Sequence, residues 1–71
     1  MVWLNVDITR LTLHREDCRY AIEHKETPFK GDGELRRDGG WLSFLEVQEA
    51  KRYHQRHFPG RHFQMCKICQ P

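Results

Sequence analysis

The start of the chain alternates between two kinds of side chain with a period of two. One face of this pattern carries the aliphatic residues Val2, Leu4, Val6 and Ile8. Trp3, Asn5 and Asp7 lie on the other face. After a short break the alternation resumes from Leu11 to His14. Period-two patterns rich in β-branched residues are typical of strands, so we predict two antiparallel strands joined by a tight turn.

The middle of the chain, residues 23–40, is polar and contains four glycines and one proline. Glycine and proline at this density indicate turns, so we predict a long surface loop with a brief extended piece around Glu34 to Arg37. The Asp38-Gly39-Gly40 turn is expected to direct Trp41 into the core.

A helix is the best interpretation of the segment from about residue 44 to residue 57. Ser43 and Glu46 have the spacing of a capping box, and Pro59-Gly60 would end the helix. Residues at helical spacing form the expected inner face: Val47, Ala50, His54, and either Phe58 or His57. The alternation over 61–65 then predicts a last strand. The expected fold is a small α+β domain that occupies residues 1–71.

Size and composition indicate that this domain needs extra stabilisation. The chain has 71 residues, of which 38% are hydrophobic, and a core this small supplies only about 3–5 kcal/mol. Three cysteines are an odd number for a disulfide framework. Neither a signal peptide nor a membrane span is predicted. We therefore expect a cytoplasmic, monomeric protein with reduced thiols.

Two pairs of side chains supply a candidate metal site. Cys66 and Cys69 form a C-x-x-C motif, and His14 and Cys18 are four positions apart near the other end of the chain. Three thiolates and one imidazole are a known structural Zn²⁺ set that leaves no position for water. A redox role for the C-x-x-C is less favoured, because only Gln70 and Pro71 follow it and no helix N-terminus is expected there.

Alternatives remain for two of these ligands. Four other histidines compete with His14 for the fourth position: His24, His54, His57 and His62. Cys18 could instead be a small buried hydrophobe, which is a frequent role for free cysteine.

The order of these motifs resembles the metal-binding domain of the Ada DNA-repair family. The ending Phe63-Gln64-Met65-Cys66-Lys67-Ile68-Cys69-Gln70-Pro71 is similar to that family's closing motif. The pair His14-Arg15-x-x-Cys18 has the spacing of its other zinc pair, including the Arg. Phe44 and Glu49-Ala50 are similar to the elements between them. Residues 23–40 have no counterpart in this resemblance.

The resemblance implies zinc ligation by Cys18, Cys66 and Cys69, with His14 as a replaced ligand. In that family the first cysteine accepts a methyl group from a DNA phosphotriester. Imidazole is not such an acceptor, so the catalytic role does not extend to this chain. The expectation is an Ada-like zinc scaffold that is not an enzyme.

Two binding functions are therefore compared, and a DNA-repair or other enzyme is the less favoured alternative, because nothing in the sequence orients His14, His54 or His57 as a general base. The first is association with nucleic acid through basic side chains, namely Lys30, Arg36, Arg37, Lys51, Arg52 and Arg56. Acidic residues are interleaved with these, and the net charge is only +2, which favours an ordinary solvated surface. The second is a protein-interaction domain in which zinc only stabilises the fold. Trp3 is a candidate for part of an exposed apolar patch on such a domain.

Overall fold

The computed structural model describes residues 1–71 as a five-stranded sheet with two helices, which confirms the predicted α+β class. In chain order the elements are β1 (Val2–Val6), β2 (Arg10–Arg15), α1 (Arg19–Ile22), β3 (Gly31–Asp32), β4 (Gly40–Phe44), α2 (Val47–His57) and β5 (His62–Met65). The radius of gyration is 10.9 Å, close to the value of about 11 Å expected for a folded chain of this length. Neither helix has the length and apolar character needed to cross a membrane.

The predicted N-terminal hairpin forms the centre of the sheet, whose strand order is β3-β4-β1-β2-β5. β1 is antiparallel to β2 and also to β4, so Leu4 lies between Leu13 on one side and Leu42 on the other. The strand β1 ends at Val6, and the backbone N–H of Asp7 donates to the carbonyl of Arg10 at 2.8 Å to close the turn. Ile8 therefore lies in the turn, and it is exposed rather than part of the predicted apolar face.

The predicted last strand, β5, lies parallel to β2 at one edge of the sheet. Leu13 is paired with Met65, and the N–H of Cys66 donates to the carbonyl of Leu13 at 2.9 Å. A parallel pair needs a long connection, and here the connection contains α1, β3, β4 and α2. This pairing carries the C-x-x-C motif to the end of β2, beside His14.

Side-chain alternation gives the sheet two different faces. One face holds the main core, which α2 covers through Ala50; the other buried members are Val2, Leu4, Val6, Leu11 and Leu13. The opposite face holds a second cluster of buried residues: Cys18, Ala21, Trp41 and Cys66. The prediction that Trp41 is directed into the core is confirmed, because it is 7% exposed.

Trp3 belongs to this second cluster, so the prediction of an exposed patch around it is wrong. Trp3 is half-buried and packs against the cluster, with its ring centroid 4.9 Å from that of His24. The alternation correctly separated Trp3 from Leu4, but a second layer of side chains covers the face on which it lies.

The predicted capping box at Ser43 is also wrong. Ser43 is part of β4, where it pairs with Trp3 of β1. The helix begins at Val47, and its N-cap residue, Glu46, makes no side-chain capping hydrogen bond. The hydrogen-bond ladder with β1 holds Ser43 extended, so the local capping signal is overridden. The end of the helix at His57 agrees with the prediction.

The segment 23–40 is less irregular than predicted. Its extended piece is β3 at Gly31–Asp32, whereas Arg36 and Gly39 form an isolated antiparallel bridge around a turn. Gly39 has φ 111° and passes directly beside the carbonyl oxygen of Val6. A Cβ there would overlap that oxygen, so this position requires glycine.

Candidate metal centre

The structure brings together the four side chains selected as metal ligands. The candidate ligand atoms of His14, Cys18, Cys66 and Cys69 all lie within 4.8 Å of one another. Three of the residues are buried, with exposed fractions of 5% for His14, 3% for Cys18 and 7% for Cys66. All three cysteines are free thiols.

Backbone geometry explains how the first pair converges. His14 is on β2 and follows Leu13, so its side chain points to the face opposite the main core. A tight turn follows, in which the N–H of Cys18 donates to the carbonyl of Arg15 at 3.0 Å. This turn places Cys18 immediately before α1 and folds its thiol back beneath His14.

The second pair converges in a turn directly after β5. The N–H of Gln70 donates to the carbonyl of Cys66 at 2.9 Å, which closes the loop around the C-x-x-C. Gln70 has φ 47°, the left-handed conformation that ends this turn. The N–H of Arg15 donates to Cys69 Sγ at 3.2 Å, so a backbone group next to the first pair also binds the second pair.

The interatomic distances suit a tetrahedral ion. Cys18 Sγ lies 3.5 Å from His14 Nδ1 and 4.0 Å from Cys66 Sγ. With metal–sulfur bonds near 2.3 Å and metal–nitrogen bonds near 2.0 Å, a tetrahedral site would separate these atoms by about 3.5 Å and about 3.8 Å. A disulfide would need about 2.05 Å between the sulfurs. The two thiols are therefore spaced for a shared ion and not for a covalent bond.

Protonation energetics differ among the four groups. Burial lowers the pKa of His14, which favours the neutral imidazole that a metal requires. Burial tends to raise the pKa of Cys66, but backbone N–H groups of Cys69 and Ile68 outweigh it, so the pKa is lowered. Burial and the neighbouring thiols raise the pKa of Cys69 to about 11, against the hydrogen bond from Arg15. A cation is the natural compensation for several thiolates in this space.

Aromatic rings surround the imidazole of His14. Its ring centroid lies 5.3 Å from that of Trp41 and 6.3 Å from that of Tyr20. Nδ1 faces Cys18, and Nε2 is buried without a hydrogen-bond partner. With Nδ1 bound to an ion, Nε2 would carry the proton. The apolar walls exclude water from this side of the centre.

The other four histidines lie outside the cluster. His54 Nε2 donates a hydrogen bond to the carbonyl of Arg61, while His57 and His62 are exposed. His24 has a structural role that sequence reasoning missed: its ring stacks on Trp41 with centroids 4.7 Å apart, and Nε2 contacts Asp32 at 3.0 Å. No spacing in the sequence indicates this contact, because it depends on the path of residues 25–40.

The six basic residues selected for nucleic-acid binding fall into two groups. Three of them are partnered by carboxylates, which lie within residues 26–38 or in the turn after β1. Lys30 contacts Asp7 at 2.6 Å, and Arg36 contacts both Glu26 at 2.7 Å and Glu34 at 2.9 Å. Arg37 pairs with Asp38 at 3.1 Å and stacks on Phe29.

The second group lies on α2. Lys51, Arg52 and Arg56 have no carboxylate within 4.0 Å, and Arg52 and Arg56 are exposed. Arg52 and Arg56 line a groove of about 270 Å³ beside the end of β4. The six basic side chains thus differ in whether an anion would have to compete with a carboxylate already in place.

The geometry describes a cluster of three cysteines and one histidine that could hold a metal ion, in a domain whose fold brings the ligands together. Comparisons with models of known protein families, with curated proteins and with solved structures found no match to this chain.

Proposed function

We propose that this chain is a metal-stabilised binding module, in which a structural Zn²⁺ is held by His14, Cys18, Cys66 and Cys69 and no reaction is catalysed. The observation that carries the proposal is the approach of all four ligand atoms to within 4.8 Å, with three of the four residues buried. Four protein ligands fill a tetrahedral site and leave no position for a reacting water, which is the arrangement of structural zinc sites.

The donor set supports zinc over other ions. Thiolates and imidazole suit soft or borderline metals, whereas Mg²⁺ and Ca²⁺ prefer oxygen ligands. Three sulfurs and one nitrogen in near-tetrahedral spacing are typical of zinc. In the Ada-like interpretation His14 stands where a reactive cysteine would be, which supports a scaffold that does not transfer a methyl group.

Metal analysis tests this proposal directly. The protein is purified without added metal, and its zinc content is measured by mass spectrometry. It is then loaded with Co²⁺, whose absorption bands report coordination geometry and thiolate ligation. We expect one metal ion per chain and the spectrum of a tetrahedral, thiolate-rich site. A protein that binds no metal, or a cobalt site with an exchangeable water, would refute the structural-zinc proposal.

Nucleic acid is the partner class that we propose for the module. The unpaired side chains Lys51, Arg52 and Arg56 support this, because free cationic groups on one helix can contact phosphates. The partnered residues Lys30, Arg36 and Arg37 support it less, since a phosphate would have to compete with carboxylates already in place. Binding to an oligonucleotide should weaken steeply with salt, and the absence of binding at low salt would refute it.

A protein-interaction module is the second candidate. The observation in its favour is that Ile22, after Cys18, and Ile68, between the C-x-x-C cysteines, are each 68% exposed. Exposed aliphatic side chains of this kind are suited to a partner surface. The test is whether Ile22→Ser and Ile68→Ser abolish binding to a defined partner while metal content and fold are unchanged.

A further inference from the structure

We infer that the groove between α2 and the end of β4 is the contact site for single-stranded nucleic acid, with a phosphate bound between Arg52 and Arg56 and a base stacked on Tyr53 and His57. This inference deepens the proposed nucleic-acid association and depends on it. The groove has a volume of about 270 Å³ and is lined by Phe44, Glu49, Arg52, Tyr53, Arg56 and His57.

Helical spacing places the cationic and aromatic side chains next to each other. Arg52 and Arg56 are four positions apart, as are Tyr53 and His57, so each pair occupies one side of the helix. The two pairs form adjacent rows along the groove. A nucleotide presents the same pairing of an anion and a flat ring.

The arginines are free to bind an anion. Neither guanidinium has a carboxylate within 4.0 Å, and both side chains are exposed. Like charges at this spacing weaken a helix by a few tenths of a kcal/mol, so the pair is not explained by helix stability alone. A guanidinium offers planar, paired N–H donors that match phosphate oxygens.

The aromatic side chains form a stacking surface that is held in place. The ring of Tyr53 lies 5.5 Å from that of Phe44 and 6.0 Å from that of Phe58, so the core restrains it. The ring of His57 lies 4.6 Å from that of Tyr53 and is exposed. Burial raises the pKa of Tyr53, so its ring carries no negative charge at neutral pH. Aromatic platforms of this kind bind bases with little dependence on sequence.

Glu49 makes the two ends of the groove differ in charge. Its carboxylate lies one turn N-terminal to Arg52 and Tyr53, and it would repel a phosphate at that end. The phosphate is therefore placed at the Arg52–Arg56 end. The site is shallow and smaller than the roughly 300–1,000 Å³ of enclosed small-molecule pockets, which suits a strand that crosses the surface.

The test measures fluorescence anisotropy of a labelled oligothymidylate, and of a duplex of matched length, with the zinc-loaded full chain. Five proteins are compared: the unaltered chain, Arg52→Gln with Arg56→Gln, His57→Ala, Glu49→Gln, and a control with Arg10→Gln and Lys25→Gln. The control removes two exposed cationic groups outside the groove, neither of which has a carboxylate partner. Circular dichroism and zinc content verify that each variant is folded.

We expect the single strand to bind more tightly than the duplex. The groove double variant should weaken binding at least about tenfold and reduce the log–log salt slope by about 0.7, since the two arginines bind one phosphate and each single-strand phosphate contact contributes about 0.7. His57→Ala should weaken binding about fivefold or more without changing that slope. The control should lose less affinity than the groove variant, and Glu49→Gln should gain affinity.

Two failures are distinguishable. If the unaltered chain binds but the groove variant and the control weaken equally, the groove inference is overturned and nucleic-acid association stands. Tighter binding to duplex with no effect of His57→Ala would also overturn it. If the unaltered chain binds no oligonucleotide at low salt, nucleic-acid association and the groove inference both fail, whereas the zinc content still tests the metal proposal.

Discussion

The backbone N–H of Arg15 donates a hydrogen bond to Cys69 Sγ at 3.2 Å, although 54 positions separate the two residues. Arg15 is the last residue of β2, and Cys69 is the second cysteine of the C-x-x-C turn. This bond and the pairing of β2 with β5 both involve the backbone, and together they align the His14–Cys18 pair with the Cys66–Cys69 pair. The approach of the four candidate ligands thus follows from the sheet, because the same hydrogen-bond ladder that builds the sheet places them.

Removal of the metal should unfold the domain. Only 14 of 71 residues are buried, and four of them belong to the cluster around the cysteines. The main core alone therefore contributes little to the free energy of unfolding. Structural zinc typically contributes about 10–16 kcal/mol in small domains. We expect a strong chelator to abolish the native circular dichroism signal, and added Zn²⁺ to restore it. A metal-free protein with an unchanged spectrum would contradict this expectation.

His14 should be the histidine that binds the ion. His14→Ala should weaken metal affinity by more than about 100-fold, because even loss of a group that only supports a ligand costs about 10- to 100-fold. His62→Ala is the matched control, since His62 is exposed on β5 and lies outside the cluster. Competition with a chromophoric zinc chelator measures both affinities. Equal loss in the two variants, or loss only with His62→Ala, would assign the fourth ligand elsewhere.

Metal binding should release protons and weaken as the pH falls. The pKa of Cys69 is about 11 without an ion, so this thiol is protonated near pH 7 and must lose its proton to ligate the metal. We expect about one to three protons per ion, measured with a pH indicator in weakly buffered solution. Release of none would mean that the thiols do not bind the metal as thiolates.

The lowered pKa of His14 should also make the folded protein less stable as the pH falls. Its folded-state pKa lies below the ordinary value of 6.5, so near pH 6 the unfolded chain binds more protons and stability increases with pH. The contribution is present above about pH 6.5 and is lost as the pH falls through the folded pKa. Urea midpoints should therefore decrease between about pH 7 and pH 5, and His14→Gln, whose side chain takes up no proton, should reduce this decrease.

Gly39 should tolerate substitution far less than other glycines. A Cβ at this position would overlap the carbonyl oxygen of Val6, and φ is 111°, so Gly39→Ala should cost more than about 3 kcal/mol. Gly33 has a positive φ with open space around it, and Gly33→Ala should cost about 1 kcal/mol. Gly60→Ala, with open space and an ordinary φ, should be near neutral. Urea unfolding of the three variants checks this order.

The parts predicted from the sequence are those specified by local patterns. The period-two alternation predicted β1 and β2, and the helical spacing of the apolar residues around Ala50 predicted most of α2. Ser43 misled the prediction because its environment is set by the ladder with Trp3, which is 40 positions away. Local capping chemistry contributes about 1 kcal/mol, and several strand hydrogen bonds exceed it.

The candidate site was predictable for a similar reason. Ligand spacing is local within each pair, so His14 with Cys18 and Cys66 with Cys69 could be selected from the sequence. The pairing of β2 with β5 joins the two halves, and no sequence signal sets its register. The stack of Trp3, His24 and Trp41 likewise depends on contacts between distant segments.

The parallel contact between β2 and β5 has a consequence for self-association. β5 is one of the two edge strands, and it covers a row of backbone donors and acceptors on β2. The ion bound through Cys66 and Cys69 would hold β5 in this place. When the ion is lost and the domain unfolds, β2 no longer has β5 as its partner and can pair with another chain. Zinc in this protein would therefore protect against aggregation as well as unfolding, and metal-depleted samples should form β-rich oligomers at concentrations where loaded protein remains dispersed.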